Sequence, residues 1–125
     1  MTKLLLDTNI LIDHLHGDPH ATALLQDVMS GRERASISVV TESEVLSSRK
    51  LTHHEIRTIE ALLSELPKLA VTSRVARIAA QWRRKYGMGL PDALIAATAY
   101  IAHATLVTRD VKDFRPIKEL HLRTL

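Results

Sequence analysis

The chain contains no cysteine. Neither a disulfide framework nor a thiolate metal site can form, which removes zinc fingers and zinc ribbons. A reducing cytoplasm is the expected location. Aromatic residues make up only 3% of the sequence, namely Trp82, Tyr86, Tyr100 and Phe114. A single-strand binder built on aromatic stacking platforms is therefore not expected. Glycine and proline number four each, and no linker, low-complexity stretch or internal repeat interrupts the chain. There is no Gly-x-Gly-x-x-Gly and no Walker loop; Gly87-Met88-Gly89 reads as a helix stop and a loop. The N-terminal apolar run, Leu4-Leu5-Leu6, is too short for a signal peptide or a membrane span.

What remains is an ordinary globular composition. The 125 residues give room for one domain, residues 1–125. Hydrophobic residues at 46% and charged residues at 25% exclude disorder. Seventeen Lys and Arg stand against fourteen Asp and Glu, a formal net charge of +3. That balance suits a polyanionic partner without requiring one.

Short β-like runs alternate with helix-like segments. Strands are expected at Lys3 to Leu6, Ala35 to Val39, Leu69 to Val71 and Thr105 to Thr108, with a fifth at Leu120 to Leu122. Asp18-Pro19 reads as a helix start running to about Ser30, before Gly31. Thr41 opens a helix, and Thr41-x-x-Glu44 has the form of a capping box; Thr52-x-x-Glu55 opens another. Ser73 is expected to cap a helix with Val75, Ile78, Ala79, Trp82 and Tyr86 on its apolar face. Pro91 starts a further helix reaching about His103. This order predicts an α/β fold, a parallel sheet covered by helices on both faces. Ligands in such sheets gather at the carboxyl ends of the strands.

Four acids stand at those places. Asp7 and Asp110 sit just past the ends of the first and fourth strands, while Glu44 and Asp92 sit near helix starts that face the same edge. Each has an ordinary structural explanation: a cap, a capping box, or a first-turn acid favoured by the helix dipole. Together, four converging carboxylates repel one another unless cations neutralise them. Oxygen-only ligands select Mg²⁺ or Mn²⁺. One or two such ions activate a water and stabilise the charge that develops during phosphodiester hydrolysis. Thr8, Asn9 and Thr108 are candidates for orienting the acids, with turn chemistry as the alternative. Arg109 is placed to contact a phosphate.

The stretches Leu5-Leu6-Asp7-Thr8-Asn9, Ser38-Val39-Val40-Thr41-Glu42-Ser43-Glu44, Pro91-Asp92-Ala93-Leu94-Ile95-Ala96-Ala97-Thr98-Ala99 and Leu106-Val107-Thr108-Arg109-Asp110-Val111-Lys112-Asp113-Phe114 carry those acids. In that order they resemble the four marker segments of PIN-domain ribonucleases, and more narrowly the VapC toxins of type II toxin–antitoxin pairs. The resemblance implies a three-layer α/β/α sandwich, PIN-like and Rossmann-like, with a parallel sheet of four to five strands. It implies catalytic and metal-binding roles for Asp7, Glu44 (rather than Glu42), Asp92 and Asp110. Many relatives carry Asn at the fourth position, and Asp113, the acid before the Phe, is the alternative fourth ligand. It further implies Mg²⁺ as cofactor with Mn²⁺ able to substitute, an RNA substrate, a cognate antitoxin that docks a segment in a groove, and a homodimer. The helices around Thr52 to Leu66 and Ala21 to Met29 are the expected dimer surface.

Other features have plainer readings. Arg74, Arg77, Gln81, Arg84 and Lys85 lie opposite the apolar face of their helix, either as a solvated face or as a cradle for an RNA backbone. His14-x-His16 and His53-His54 lack a closing ligand set and are expected in loops or on the surface. A receiver-type phosphoacceptor is disfavoured because Val71-Thr72-Ser73 offers no Asp after the third strand. A haloacid-dehalogenase-like nucleophile is disfavoured because Asp7-Thr8-Asn9 lacks its second Asp. A non-catalytic PIN-like interaction module is the remaining alternative.

Overall fold

The computed structural model describes all 125 residues. Its strands are β1 (Lys3–Leu6), β2 (Arg34–Ser38), β3 (Lys68–Leu69), β4 (Thr105–Val107) and β5 (Leu122–Arg123). The helices are α1 (Thr8–Leu15), α2 (Pro19–Met29), α3 (Val39–Val45), α4 (His53–Ser64), α5 (Ser73–Tyr86), α6 (Leu90–Ile101) and α7 (Val111–Phe114). The five strands form one sheet in the order β3-β2-β1-β4-β5, and every pairing is parallel. The chain steps from β1 out to β3, then returns to build β4 and β5 on the other side. The strand order therefore reverses between β1 and β4, where a parallel sheet opens a crevice at its carboxyl edge.

Side-chain alternation along β1 builds two cores. Leu4 and Leu6 face one side, joined by Val107 from β4, Ile10 and Leu11 from α1 and Leu25 from α2. Leu5 faces the other side with Leu106, Trp82 from α5, Ile95 from α6 and Phe114 from α7. A central strand covered on both faces must be apolar throughout, which is why Leu4-Leu5-Leu6 is unbroken. Ala93, Ala96, Ala97 and Ala99 are all buried, and their small side chains let α6 lie close to the sheet and to α5.

Several boundaries differ from the sequence reading. An additional helix, α1, begins directly after Asp7, so Thr8 and Asn9 are its first residues rather than turn residues. β2 ends at Ser38, whose hydroxyl accepts from Val40 N and caps α3 three residues before the expected cap, Thr41. Thr41 is therefore inside the helix, and its capping box with Glu44 does not form. The β-branched Val39 and Val40 read as strand locally, but the cap at Ser38 and burial of Thr41 override that propensity. The Thr52–Glu55 capping box is present in both directions. Thr72 rather than Ser73 caps α5, and Gly89 precedes α6, which starts at Leu90 and ends at Ile101. β3 and β5 are each two residues long and displaced by one or more positions from the expected strands. His16, His53 and His54 are exposed, as expected, whereas His14 is half-buried on α1 with its Nδ1 3.0 Å from Thr22 Oγ1.

Candidate active site

The carboxyl edge of β1 and β4 carries the site. Asp7 leaves β1 with its backbone still tied to the neighbouring strand, its N–H donating to Val107 O at 2.9 Å. That bond aims the side chain into the crevice, where it is only 5% exposed. Asp7 Oδ1 accepts from Thr8 N at 2.8 Å, the N-cap bond of α1. Asp7 Oδ2 accepts from the hydroxyl of Thr108, just past β4, at 2.7 Å. The cap of α1 and the bond to Thr108 thus coexist on one carboxylate, because each uses a different oxygen.

Thr8 extends the network to α3. Its hydroxyl donates to Glu44 Oε1 at 2.6 Å and lies 3.0 Å from Thr41 Oγ1. A hydroxyl has one proton, so Thr41 donates to Thr8 in that pair. Thr41 is fully buried, and sequence reasoning missed this role. The Thr108 hydroxyl accepts from Asp110 N at 3.0 Å, and Asn9 Nδ2 donates to Asp110 Oδ2 at 3.0 Å. Glu44, Asp110 and Asp113 are exposed, whereas Asp92, in the first turn of α6, is half-buried and has no hydrogen-bond donor.

Electrostatics shows which acids share a field. Burial, above all, raises the Asp7 carboxyl from 3.8 to about 6; Thr108 and Thr8 oppose the shift, while Asp92 and Asp110 add to it. The Asp92 carboxyl is also raised, first by burial and then by Glu44, Asp113 and Asp110. Asp92 therefore feels all four other acids, directly or through its coupling to Asp7. None of the five takes part in an ion pair with Lys, Arg or His. Such a concentration of unpaired carboxylates fits a hard divalent cation in donor chemistry and in charge. The buried Asn9 Oδ1, which has no hydrogen-bond partner, is a further oxygen beside them. As placed, no three of the His, Asp or Glu side chains enclose one ion.

Arg109 behaves otherwise than expected. Its Nε lies 2.5 Å from Asp13 Oδ2, off the N–H axis, and its terminal nitrogen donates to Asp18 Oδ2 at 2.5 Å. Two carboxylates on α1 and at the α2 N-cap draw the guanidinium away from the acids, so it does not stand free for a phosphate. The sequence showed Asp18 as the cap it is, accepting from Ala21 N at 2.9 Å. That backbone bond is the main cause holding the Asp18 carboxyl below its usual value, with Arg109 adding to it. Nothing in the sequence marked Asp13 as a partner of Arg109.

A PIN domain model matches residues 4–120, nearly the whole chain. This chain belongs to the PIN-domain family. Among curated relatives, Ribonuclease VapC19 of Mycobacterium tuberculosis is 34% identical over 121 residues, which cover 93% of this PIN chain and 95% of the relative. A toxin–antitoxin complex from Klebsiella pneumoniae superposes with a TM-score of 0.77 at 36% identity, covering 94% of each chain. VapBC2 from Rickettsia felis, solved bound to a DNA fragment from its promoter, gives a TM-score of 0.84 at 24% identity and 99% coverage of both chains. The last likeness shows the fold, and the PIN architecture is the three-layer sandwich described above. No helix is long and apolar enough to cross a membrane.

Proposed function

We propose that this PIN-domain chain is a VapC-type toxin, a divalent-metal-dependent endoribonuclease neutralised by a cognate antitoxin. The observation that carries the proposal is the gathering of Asp7, Glu44, Asp92, Asp110 and Asp113 in one field with no cationic side chain among them. The curated ribonuclease relatives and the toxin–antitoxin complex support it.

Asp7, Glu44, Asp92 and Asp110 would hold Mg²⁺ or Mn²⁺, with Asp113 the alternative to Asp110. The cation supplies Lewis-acid stabilisation of phosphodiester oxygens and a lowered pKa for water. The chain's own residues do the rest. Thr8 N and Thr108 Oγ1 fix both oxygens of Asp7, and the Thr41–Thr8 pair fixes Glu44. Asp92, half-buried in the first turn of α6, has no protein donor on either carboxylate oxygen, which leaves both open to a cation. Glu44 also borders a groove of about 500 Å³ whose apolar wall includes Ile12, Leu15, Val45, Leu51 and Ile59. An antitoxin segment seated there would reach the acids. The homodimer is proposed on the α2–α4 side, where Met29 is 45% exposed.

The test is sequencing of RNA ends after induction of the wild-type chain and of Asp7→Asn or Asp92→Asn. In-line attack by water leaves 5′-phosphate and 3′-hydroxyl ends, and both variants abolish cleavage. Ends bearing 2′,3′-cyclic phosphate overturn the mechanism, and cleavage by Asp7→Asn at the wild-type rate overturns the site.

A further inference from the structure

A site built of five carboxylates repels the polyanion it is proposed to cut. Arg109, next to Asp110, cannot offset this because Asp13 and Asp18 already engage it. Attraction must come from elsewhere, and the charge of the chain is unevenly placed. α5 carries Arg74, Arg77, Arg83, Arg84 and Lys85 and is the only one of the seven helices without Asp or Glu. Without these five, twelve basic residues remain against fourteen acidic, a net of −2. The basic character of the protein is thus the work of one helix.

Four of those residues form a stripe. At about 100° per residue, Arg74, Arg77, Gln81, Arg84 and Lys85 fall within an arc of about 100°, turned away from the buried face of Val75, Ala79 and Trp82. All five are exposed, and none of the cations makes an ion pair. The stripe is about 16 Å long at 1.5 Å rise per residue. Arg83 lies off it, with its Nε donating to Met88 O at 3.3 Å. Helix electrostatics explains Arg84 and Lys85, which sit in the last turn. It does not explain Arg74, in the first turn where the macrodipole disfavours cations, or Arg77, one turn further on. No acid three or four residues away in α5 compensates them.

The stripe also leads to the site. The Arg84–Lys85 end is joined through Gly87-Met88-Gly89 to the first turn of α6, which carries Asp92. Gly87, at φ 70°, supplies the left-handed residue that lets the chain reverse within three residues. Resting on the ribonuclease reading, we infer that the Arg74–Arg77–Arg84–Lys85 face of α5 holds the phosphate backbone of single-stranded RNA and feeds it toward Asp92. Contact is to phosphates and independent of base sequence, consistent with the lack of exposed aromatic platforms on this face.

The test is fluorescence anisotropy with a labelled 12-nucleotide RNA of mixed sequence, titrated from low to high salt. Asp7→Asn serves as the background so that the probe survives. Adding Arg74→Gln, Arg77→Gln, Arg84→Gln and Lys85→Gln weakens binding at least tenfold. It also lowers the slope of log K against log salt by about 3, at about 0.7 per lost phosphate contact. Arg57→Gln, exposed on α4, whose Ile59 and Leu63 pack in the core on the other face of the sheet, changes neither quantity, and circular dichroism confirms that the quadruple variant is folded. Unchanged affinity and slope in the quadruple variant overturn the inference while leaving the ribonuclease reading intact. Retained RNA binding with lost neutralisation by the antitoxin also overturns it, assigning the stripe to that partner. Failure of the wild-type chain to bind or cut any RNA refutes the underlying reading instead.

Discussion

Asp7 offers a measurement of the site that does not depend on catalysis. Its carboxyl is raised from 3.8 to about 6 because burial strips water from the ionised form and Asp92 and Asp110 repel it. A group whose folded pKa lies above its unfolded value stabilises the fold below the unfolded pKa, and loses that contribution as pH rises through the folded one. Here the window runs from about pH 4 to above pH 6. At about 1.4 kcal/mol per pKa unit, ionised Asp7 costs the metal-free protein about 3 kcal/mol at pH 8. Asp7→Asn removes that cost. Its stability relative to wild type should therefore improve by about 3 kcal/mol between pH 4 and pH 8, about 10 °C in Tm for a chain of this length. The assay is thermal or urea unfolding of both proteins in EDTA across that range. At pH 8, adding Mn²⁺ should raise the wild-type Tm and leave Asp7→Asn nearly unmoved, since only the ionised acid gains by ligating the cation. A stability difference that stays flat with pH refutes the account of Asp7, because no proton would then be linked to folding at this position.

Two further outcomes follow from individual contacts. Arg109→Ala should release the turn carrying Thr108 and Asp110 from α1 and α2, cutting ribonuclease turnover by tenfold or more, while Arg109→Lys retains part of the ion pairing and of the activity. Thr52→Ala breaks the capping box of α4 and should cost about 1 kcal/mol in urea unfolding, with RNA cleavage by the folded enzyme unchanged, because α4 contributes none of the acids.

How legible was the site? Asp7 and Asp110 were visible because each follows an apolar run, and a run that must be buried in a parallel sheet delivers the next polar residue to the sheet edge. Asp92 was visible as the lone charge on an alanine-rich helix. The role of Glu44 was obscured by a local rule: Thr41-x-x-Glu44 has capping-box spacing, but Ser38 caps the helix first, and Glu44 bonds Thr8, thirty-six residues away. Thr41 and Asp13 were not legible at all. Their partners, Thr8 and Arg109, come from separate segments, and no spacing within either segment encodes the meeting. The short strands β3 and β5 shifted for a related reason, since two-residue edge strands are set by what their neighbours leave to pair with.

The sequence by itself determined the α/β class, the buried central strand, the caps of α2 and α4 and the chemistry of the acids. Those follow from burial, periodicity and capping, which act over a few residues. Tertiary structure alone decided the strand order β3-β2-β1-β4-β5, and with it the adjacency of β1 and β4. That adjacency ties Thr108 to Asp7 across 101 residues, raises the Asp7 carboxyl and leaves the acids unpaired by turning Arg109 toward Asp13 and Asp18. The physical reason is range: caps and amphipathic faces are local, whereas desolvation and charge repulsion depend on which distant segments the packed sheet brings together.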